Sequence, residues 1–258
     1  MKYLENQDLN QLPGQRLKET DRFSFRCHSS ISCFNRCCRN LNLFLYPYDV
    51  IRLKKHLSLT SDRFLDEHAD IVMRPDNFFP EVLLRMAEDP ERSCPFSTET
   101  GCSVYLERPY SCRMFPVEQG ALFDGKRIEM VHFFRPPDFC MGRYEAWPNT
   151  TESWKAGQEA AIYTKMTTDW SKLKLLFQKD PWGTEGPNGR RAKMAFMAAY
   201  NVDRFREFVF QSSFLKRYRV EASVRNKIAI DDSALLEFGI EWIKFFLWGI
   251  PSRDLKIR

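Results

Sequence analysis

The sequence predicts a mainly α-helical fold with a small antiparallel β-hairpin or sheet, in which a cysteine-rich metal-binding region is followed by a helical C-terminal region. Three observations predict it. All eight cysteines lie between Cys27 and Cys140, and the 118 residues beyond have none. The stretch ALFDGKRIEMVHFF, residues 121–134, sets two β-prone flanks around Asp124-Gly125, a dipeptide that supplies the positive φ of a tight primed turn. From Thr150 onward apolar residues recur at helical spacing. Composition therefore divides the chain into a cysteine-cluster domain, residues 1–145, and a helical domain, residues 146–258.

With 258 residues, 43% of them hydrophobic and 14% aromatic, the chain can bury a core without cross-links. The opening MKYLENQDLNQLPGQRLKET has no apolar run and no small-residue cleavage site, so no secretory signal is expected. YPYDVIRLKKHL, residues 46–57, places Val50, Leu53 and Leu57 on one helical stripe, and Thr60 or Ser61 can cap a second helix through RFLDEHA. EVLLRMA, residues 81–87, reads as a strand because a loop follows directly. SWKAGQEAAIYTKMTTDWSKLKLLFQ reads as one helix running until Asp180-Pro181, where the Gly/Pro loop WGTEGPNG must break it. RAKMAFMAAYNVDRFREFVFQSSFLKRY gives one or two more. Its aromatics, with Trp154, Tyr163 and Trp170 before them, recur at helical spacing and read as core.

Asp231 or Asp232 can cap the last helix, which ends near Gly249 and Pro251. Glu237, Glu241 and Lys244 form its single polar stripe, so it should be packed nearly all round, within its own domain. The same three charges leave it short of the ~20 apolar residues that a bilayer requires, and no membrane span is expected. A chain with neither leader nor span is expected in the reducing cytoplasm. The net charge of +5 is unevenly placed, with 20 Lys+Arg against 21 Asp+Glu through residue 145 and 19 against 13 after it. That excess reads as a solvated helical face, and nucleic acid is not an expected partner.

The cysteines are spaced Cys27-x5-Cys33-x3-Cys37-Cys38 and, after 55 residues, Cys94-x7-Cys102-x9-Cys112-x27-Cys140. Paired C-x2-C zinc knuckles, the ferredoxin run, the radical S-adenosylmethionine triplet and the thioredoxin C-x-x-C are all missing. Adjacent cysteines rarely bond to each other, because a disulfide's Cβ separation and dihedral strain the peptide between them. Four thiols in twelve residues are also too many to be buried small hydrophobes, so the group reads as metal ligands. If residues 33–38 are helical, Cys33 and Cys37 share a face and Cys38 points about 100° away. No catalytic residue can be named: no Ser/His/Asp motif, P-loop or G-x-G-x-x-G is present. His28 and His132 lie near cysteines in sequence but are read as ordinary hydrogen-bonded histidines.

CPFSTETGCSVYLERPYSCRMFP, residues 94–116, resembles the signature of the YkgJ-type cysteine cluster family, the CxxCxxCC zinc- or iron-chelating domain. The CC-Arg ending at Arg39 and the helix around Asp49-Val50-Ile51-Arg52-Leu53 resemble that family as well. The resemblance covers residues 25–140, with wider first gaps than the family's nominal C-x2-C-x2-CC. It implies iron or zinc held by Cys27, Cys33, Cys37, Cys38, Cys94, Cys102, Cys112 and Cys140. A related cysteine pattern occurs in flagellin lysine methylase, to which the group is distantly similar and which depends on a [4Fe-4S] cluster. That resemblance implies an iron-sulfur cluster, with Zn2+ as the alternative, and an S-adenosylmethionine-dependent methylation of a protein substrate. The competing readings are a zinc-braced module for a protein partner and an electron or metal carrier. Iron-sulfur is preferred over zinc because the close C-x2-C pairs usual for zinc are missing. Arg39, Arg108 and Arg113 flank ligand cysteines and are candidates to offset thiolate charge around the cofactor.

Overall fold

The computed structural model describes residues 3–4, 12–74, 77–123 and 128–258. By contact the chain forms two compact units, Met1–Leu43 with Arg85–Ser171, and Phe44–Leu84 with Lys172–Arg258. Each is assembled from two stretches of sequence, whereas the composition boundary at residue 145 follows cysteine content alone. The architecture is mainly helical with small, largely antiparallel sheets.

The first unit is built on a four-stranded sheet in the order Tyr3–Leu4, Val117–Phe123, Ile128–Phe134, Gln15–Leu17. The two long strands are the flanks expected from residues 121–134, paired antiparallel from Phe123↔Ile128 to Val117↔Phe134. The Asp124-Gly125 turn expected between them lies outside the described residues. Period-two alternation sends Leu122, Val131 and Phe133 to one face, where Leu12 joins them. The other face carries Phe134, whose ring lies 4.9 Å from that of Phe23, itself packed edge-on to Trp154. A second strand pair, Arg22–Ser24 with Pro148–Thr150, leads into the helix Thr151–Gly157, capped by the Thr150 hydroxyl on the Ser153 N–H.

The helix expected from Ser153 to Gln178 is broken. Thr151–Gly157 and Ala161–Leu176 are separate helices, and Glu159 between them takes a φ of 50°. Two arginines hold this break open: the Arg113 guanidinium donates to the Gln158 carbonyl at 2.6 Å, and Arg108 to the Gln158 side-chain oxygen at 2.6 Å. The partners come from about fifty residues away, which is why helical periodicity does not reveal the break.

The second unit holds a three-stranded antiparallel sheet in the order Phe44–Leu45, Glu81–Leu84, Ala69–Val72, so the EVLL strand is present. Pro47–His56 and Ser61–His68 are the two expected helices, the first opened by Asp49 accepting the Tyr46 N–H at 2.8 Å. Arg190–Tyr200, Val202–Gln211, Phe214–Arg217 and Ala222–Ile230 follow, more helices than the periodicity distinguishes. In the final helix, Asp232–Trp248, the Asp231 carboxylate accepts the N–H groups of Ser233 and Ala234, and Gly249 closes the helix at a φ of 66°. Its apolar residues are the unit's core, with Leu235, Leu236, Phe238, Trp242 and Ile243 essentially inaccessible. Gly239 allows the closest approach: a Cβ there would meet the Ala198 carbonyl at 2.6 Å. Among the described residues no helix is long and apolar enough to cross a membrane.

One buried ion network ties the helical starts of this unit together. The Lys54 ammonium lies 3.0 Å from Asp203 and 2.9 Å from Asp232, while Asp203 accepts the Ser61 N–H at 2.7 Å and Arg206 pairs with Asp232. Removing the buried cation takes one partner from each of two part-buried carboxylates, so Lys54→Met should lower unfolding stability by about 1–3 kcal/mol in urea titration.

His132 in the first unit is 6% exposed, and its Nε2 meets no hydrogen-bond partner among the described residues. Burial, and then the charge of Lys155, lower it to about 4. Its folded pKa thus lies below the unfolded value near 6.5, so the unfolded chain takes up a proton first. The stability present above about pH 6.5 is lost as pH falls toward 4, by on the order of 3 kcal/mol. His132→Leu should flatten the dependence of unfolding free energy on pH across that window.

Candidate metal centre

The eight cysteines come from loops, short turns and strand ends of the first unit, and backbone bonds between remote segments bring them together. Cys27 leaves the strand Arg22–Ser24 through Phe25 and Arg26. Their N–H groups donate to Trp147 O at 3.0 Å and Gly142 O at 3.2 Å, laying Cys27 beside the segment that follows Cys140. Only glycine fits at 142, since a Cβ would meet the Arg26 carbonyl at 2.6 Å and the Phe25 ring at 2.7 Å. The Met141 N–H donates to Cys33 Sγ at 3.2 Å, and the Arg36 guanidinium lies 5.2 Å from the Phe139 ring centroid. Cys27, Cys33 and Cys140 thus gather around residues 139–147.

A second gathering forms around the tiny hairpin Ser97–Thr98 with Gly101–Cys102. The Cys94 N–H donates to the Cys38 carbonyl at 2.8 Å, Arg39 bridges to Ser93, and the Asn40 N–H reaches Arg92 O at 2.9 Å. Ser97 donates back to Cys94 O at 2.9 Å while standing opposite Cys102, and Asn35 donates to Thr98 O at 3.0 Å. Cys112 enters from the short helix Tyr110–Met114.

The expected helical face for Cys33 and Cys37 is not formed. Arg36–Cys38 is a single 3-10 turn, because Asn35 takes a left-handed φ of 60° and the Cys38 N–H bonds back to Asn35 O at 3.0 Å. Nor does Cys38 turn away from Cys37: its thiol donates to the Cys37 sulfur, drawing Cys37 down to about 7 and pushing Cys38 up. Cys27 is exposed as a residue. Partial burial of its thiol, and then the charges of Cys37, Cys33 and Cys140, push it up to about 11. Burial also raises Cys94, Cys102 and Cys140. Cys33 stands among the neighbours of Cys27 and Cys140, and Cys112 among those of Cys38.

The three arginines have different fates. Arg39 pairs with Glu91 at 2.5 Å. Arg113, buried, donates to Gln158 O and to Leu106 O at 2.5 Å and stacks 4.4 Å from the Tyr163 ring centroid, so its guanidinium braces the helix break. Arg108 donates to Tyr105 O and Gln158, yet its charge is also felt by Cys102 and responds to Cys112. Gly142 and Gln158, which position the site, give no signal in the sequence. His28 lies 3.8 Å from Glu145, and His132 belongs to the sheet.

None of the eight cysteines is held in a disulfide, and the donor set is purely soft sulfur, which suits zinc or iron-sulfur and not magnesium or calcium. Among the described residues, no three His, Cys, Asp or Glu side chains stand together as ligands of an ion. By donor type the residues fit a thiophilic metal. Gly142→Ala should drive residues 139–147 away from Arg26 and lower unfolding stability by about 1–3 kcal/mol. Thermal denaturation and metal content, measured together, should both fall.

No curated protein and no solved structure matches the chain. Residues 26–141 match the family model described as CxxCxxCC, "Putative zinc- or iron-chelating domain". The matched stretch begins just before Cys27, ends just after Cys140 and includes every cysteine, so this part of the chain is similar to that family.

Proposed function

We propose that the chain is an iron-sulfur protein whose cysteines hold a [4Fe-4S]-type centre, and that the centre serves modification of a protein target. The observation that carries the metal reading is the convergence of eight thiols, drawn from segments up to 113 residues apart, into one electrostatic neighbourhood. Nothing in ordinary core packing calls for such a gathering. Iron-sulfur is preferred to zinc because every thiol except the Cys37-Cys38 pair comes from a separate turn of backbone. A cluster that presents each ligand with a different iron suits that arrangement better than a single ion needing paired knuckles.

The chain's own groups must hold these thiolates and balance their charge. The thiols raised by burial have to release protons as they bind, and Arg108 is placed to offset charge at Cys102 and Cys112. When bound, such a centre supplies one-electron chemistry or a Lewis-acidic iron. Protein methylation with S-adenosylmethionine is the reaction carried over from the distant similarity to flagellin lysine methylase, and it rests on that similarity alone.

Protein purified without oxygen should contain iron and acid-labile sulfide and show a broad visible sulfur-to-iron charge-transfer band. Zinc in its place, with no sulfide, would overturn the cluster. A chain free of both metals after purification and after anaerobic reconstitution would overturn metal binding altogether.

A further inference from the structure

Much of the basic excess after residue 145 is concentrated in one small structure of the second unit. Strands Tyr218–Val220 and Leu255–Ile257 pair antiparallel, as Tyr218↔Ile257, Arg219↔Lys256 and Val220↔Leu255. Residues 216–221 and 253–258, which hold this ribbon, contain six Lys+Arg and two acids, Glu221 and Asp254. Alternation sends Tyr218 and Leu255 to the packed face: Leu255 is 1% exposed, and the Tyr218 ring lies 4.7 Å from that of Phe214 and 6.0 Å from that of Phe245. Arg219 and Lys256 therefore leave the opposite, solvent face directly across from each other. The Arg258 N–H on the Arg217 carbonyl, at 3.0 Å, carries the pairing one step further and brings two more cations side by side. Like charges directly opposed on a strand pair destabilise it. Nothing in the ribbon offsets them: Lys216, Arg217, Arg219, Arg253, Lys256 and Arg258 are all exposed, and none enters an ion pair or a side-chain hydrogen bond among the described residues. Exposed arginines elsewhere in the unit do pair, Arg63 with Glu67 and Arg204 with Glu207 and Asp62.

We propose that this ribbon docks on an anionic lipid bilayer, whose phosphate-bearing headgroups neutralise the opposed cations. A cluster of six Lys/Arg is of the size that binds acidic lipid surfaces. The side chains that accompany the cations decide between polyanions. Ile257, 71% exposed, stands between Lys256 and Arg258, and Ile250, 37% exposed, precedes Arg253 by three residues. Single aliphatic side chains among cations suit the boundary between headgroups and acyl chains, which accepts both. A nucleic acid would gain from exposed aromatic rings on which bases stack, but the ribbon's one aromatic residue, Tyr218, is turned to the packed face. An acidic protein segment would meet the charge and leave the projecting isoleucines without an apolar counterpart. The association is peripheral, since no described helix is long and apolar enough to cross a membrane. It uses the second unit alone and does not depend on the metal reading.

The full chain is sedimented with vesicles of phosphatidylcholine alone and of phosphatidylcholine mixed with phosphatidylglycerol. Binding is expected to the anionic vesicles only, and about 0.5 M salt, which shortens the Debye length to a few ångströms, should release it. Arg219→Gln/Lys256→Gln removes a like-charge pair, so it should keep the fold by circular dichroism while weakening partition roughly 25-fold, about fivefold for each cation lost. Ile257→Ser should weaken binding with its salt dependence unchanged. No binding, equal binding to both kinds of vesicle, or undiminished binding by the folded double variant overturns the proposal. A single-stranded oligonucleotide or polyglutamate bound more tightly than the anionic vesicles also overturns it and assigns the ribbon to that polyanion.

Discussion

Two backbone donors carry the arrangement of the cysteine region: the Cys94 N–H on the Cys38 carbonyl and the Met141 N–H on the Cys33 sulfur. Neither lies within a helix or an extended sheet, and each joins segments that are far apart in sequence. A thiol-rich loop left to itself has many conformations, and ordering it costs roughly 1–2 kcal/mol per residue in backbone entropy. These cross-loop bonds, with the close approach of Gly142 to Arg26, order much of the region before any metal enters. Metal binding then has less conformational freedom to remove, which is the physical advantage of a gathered site.

The arginines show how the scaffold around the thiols is stiffened. Arg113 spends its buried guanidinium on two carbonyls and an aromatic ring, and Arg108 shares itself between Gln158 and the thiol neighbourhood. Each sends one bond to Gln158, in the three-residue gap between the helices Thr151–Gly157 and Ala161–Leu176. The loop carrying Cys102 and Cys112 is thereby pinned to a helix junction of the same unit, and the sequence Arg108-Pro109 through Arg113 acts as a brace.

Regular elements were legible wherever one face of a short segment decides its structure. Val50, Leu53 and Leu57 mark a helix, the β-prone flanks within residues 121–134 mark paired strands, and Asp231 with Gly249 brackets the last helix. The cysteine chemistry was legible from density and spacing. Local geometry at the site was not, because it depends on partners the local sequence does not contain. Asn35 bends the chain where a helical face was expected, and Gln158 breaks a helix because arginines about fifty residues earlier take its oxygens. The interleaved units escaped for a similar reason: composition changes once along the chain, while contacts join Phe44–Leu84 to Lys172–Arg258.

The central claim is that these sulfurs, and no other donors, form the metal's coordination shell. X-ray absorption at the metal edge, recorded on protein purified without oxygen, tests it most directly. The account predicts a first shell of sulfur alone, whichever metal is present. A nitrogen or oxygen scatterer in that shell, from His28, Glu145 or any other side chain, would contradict it.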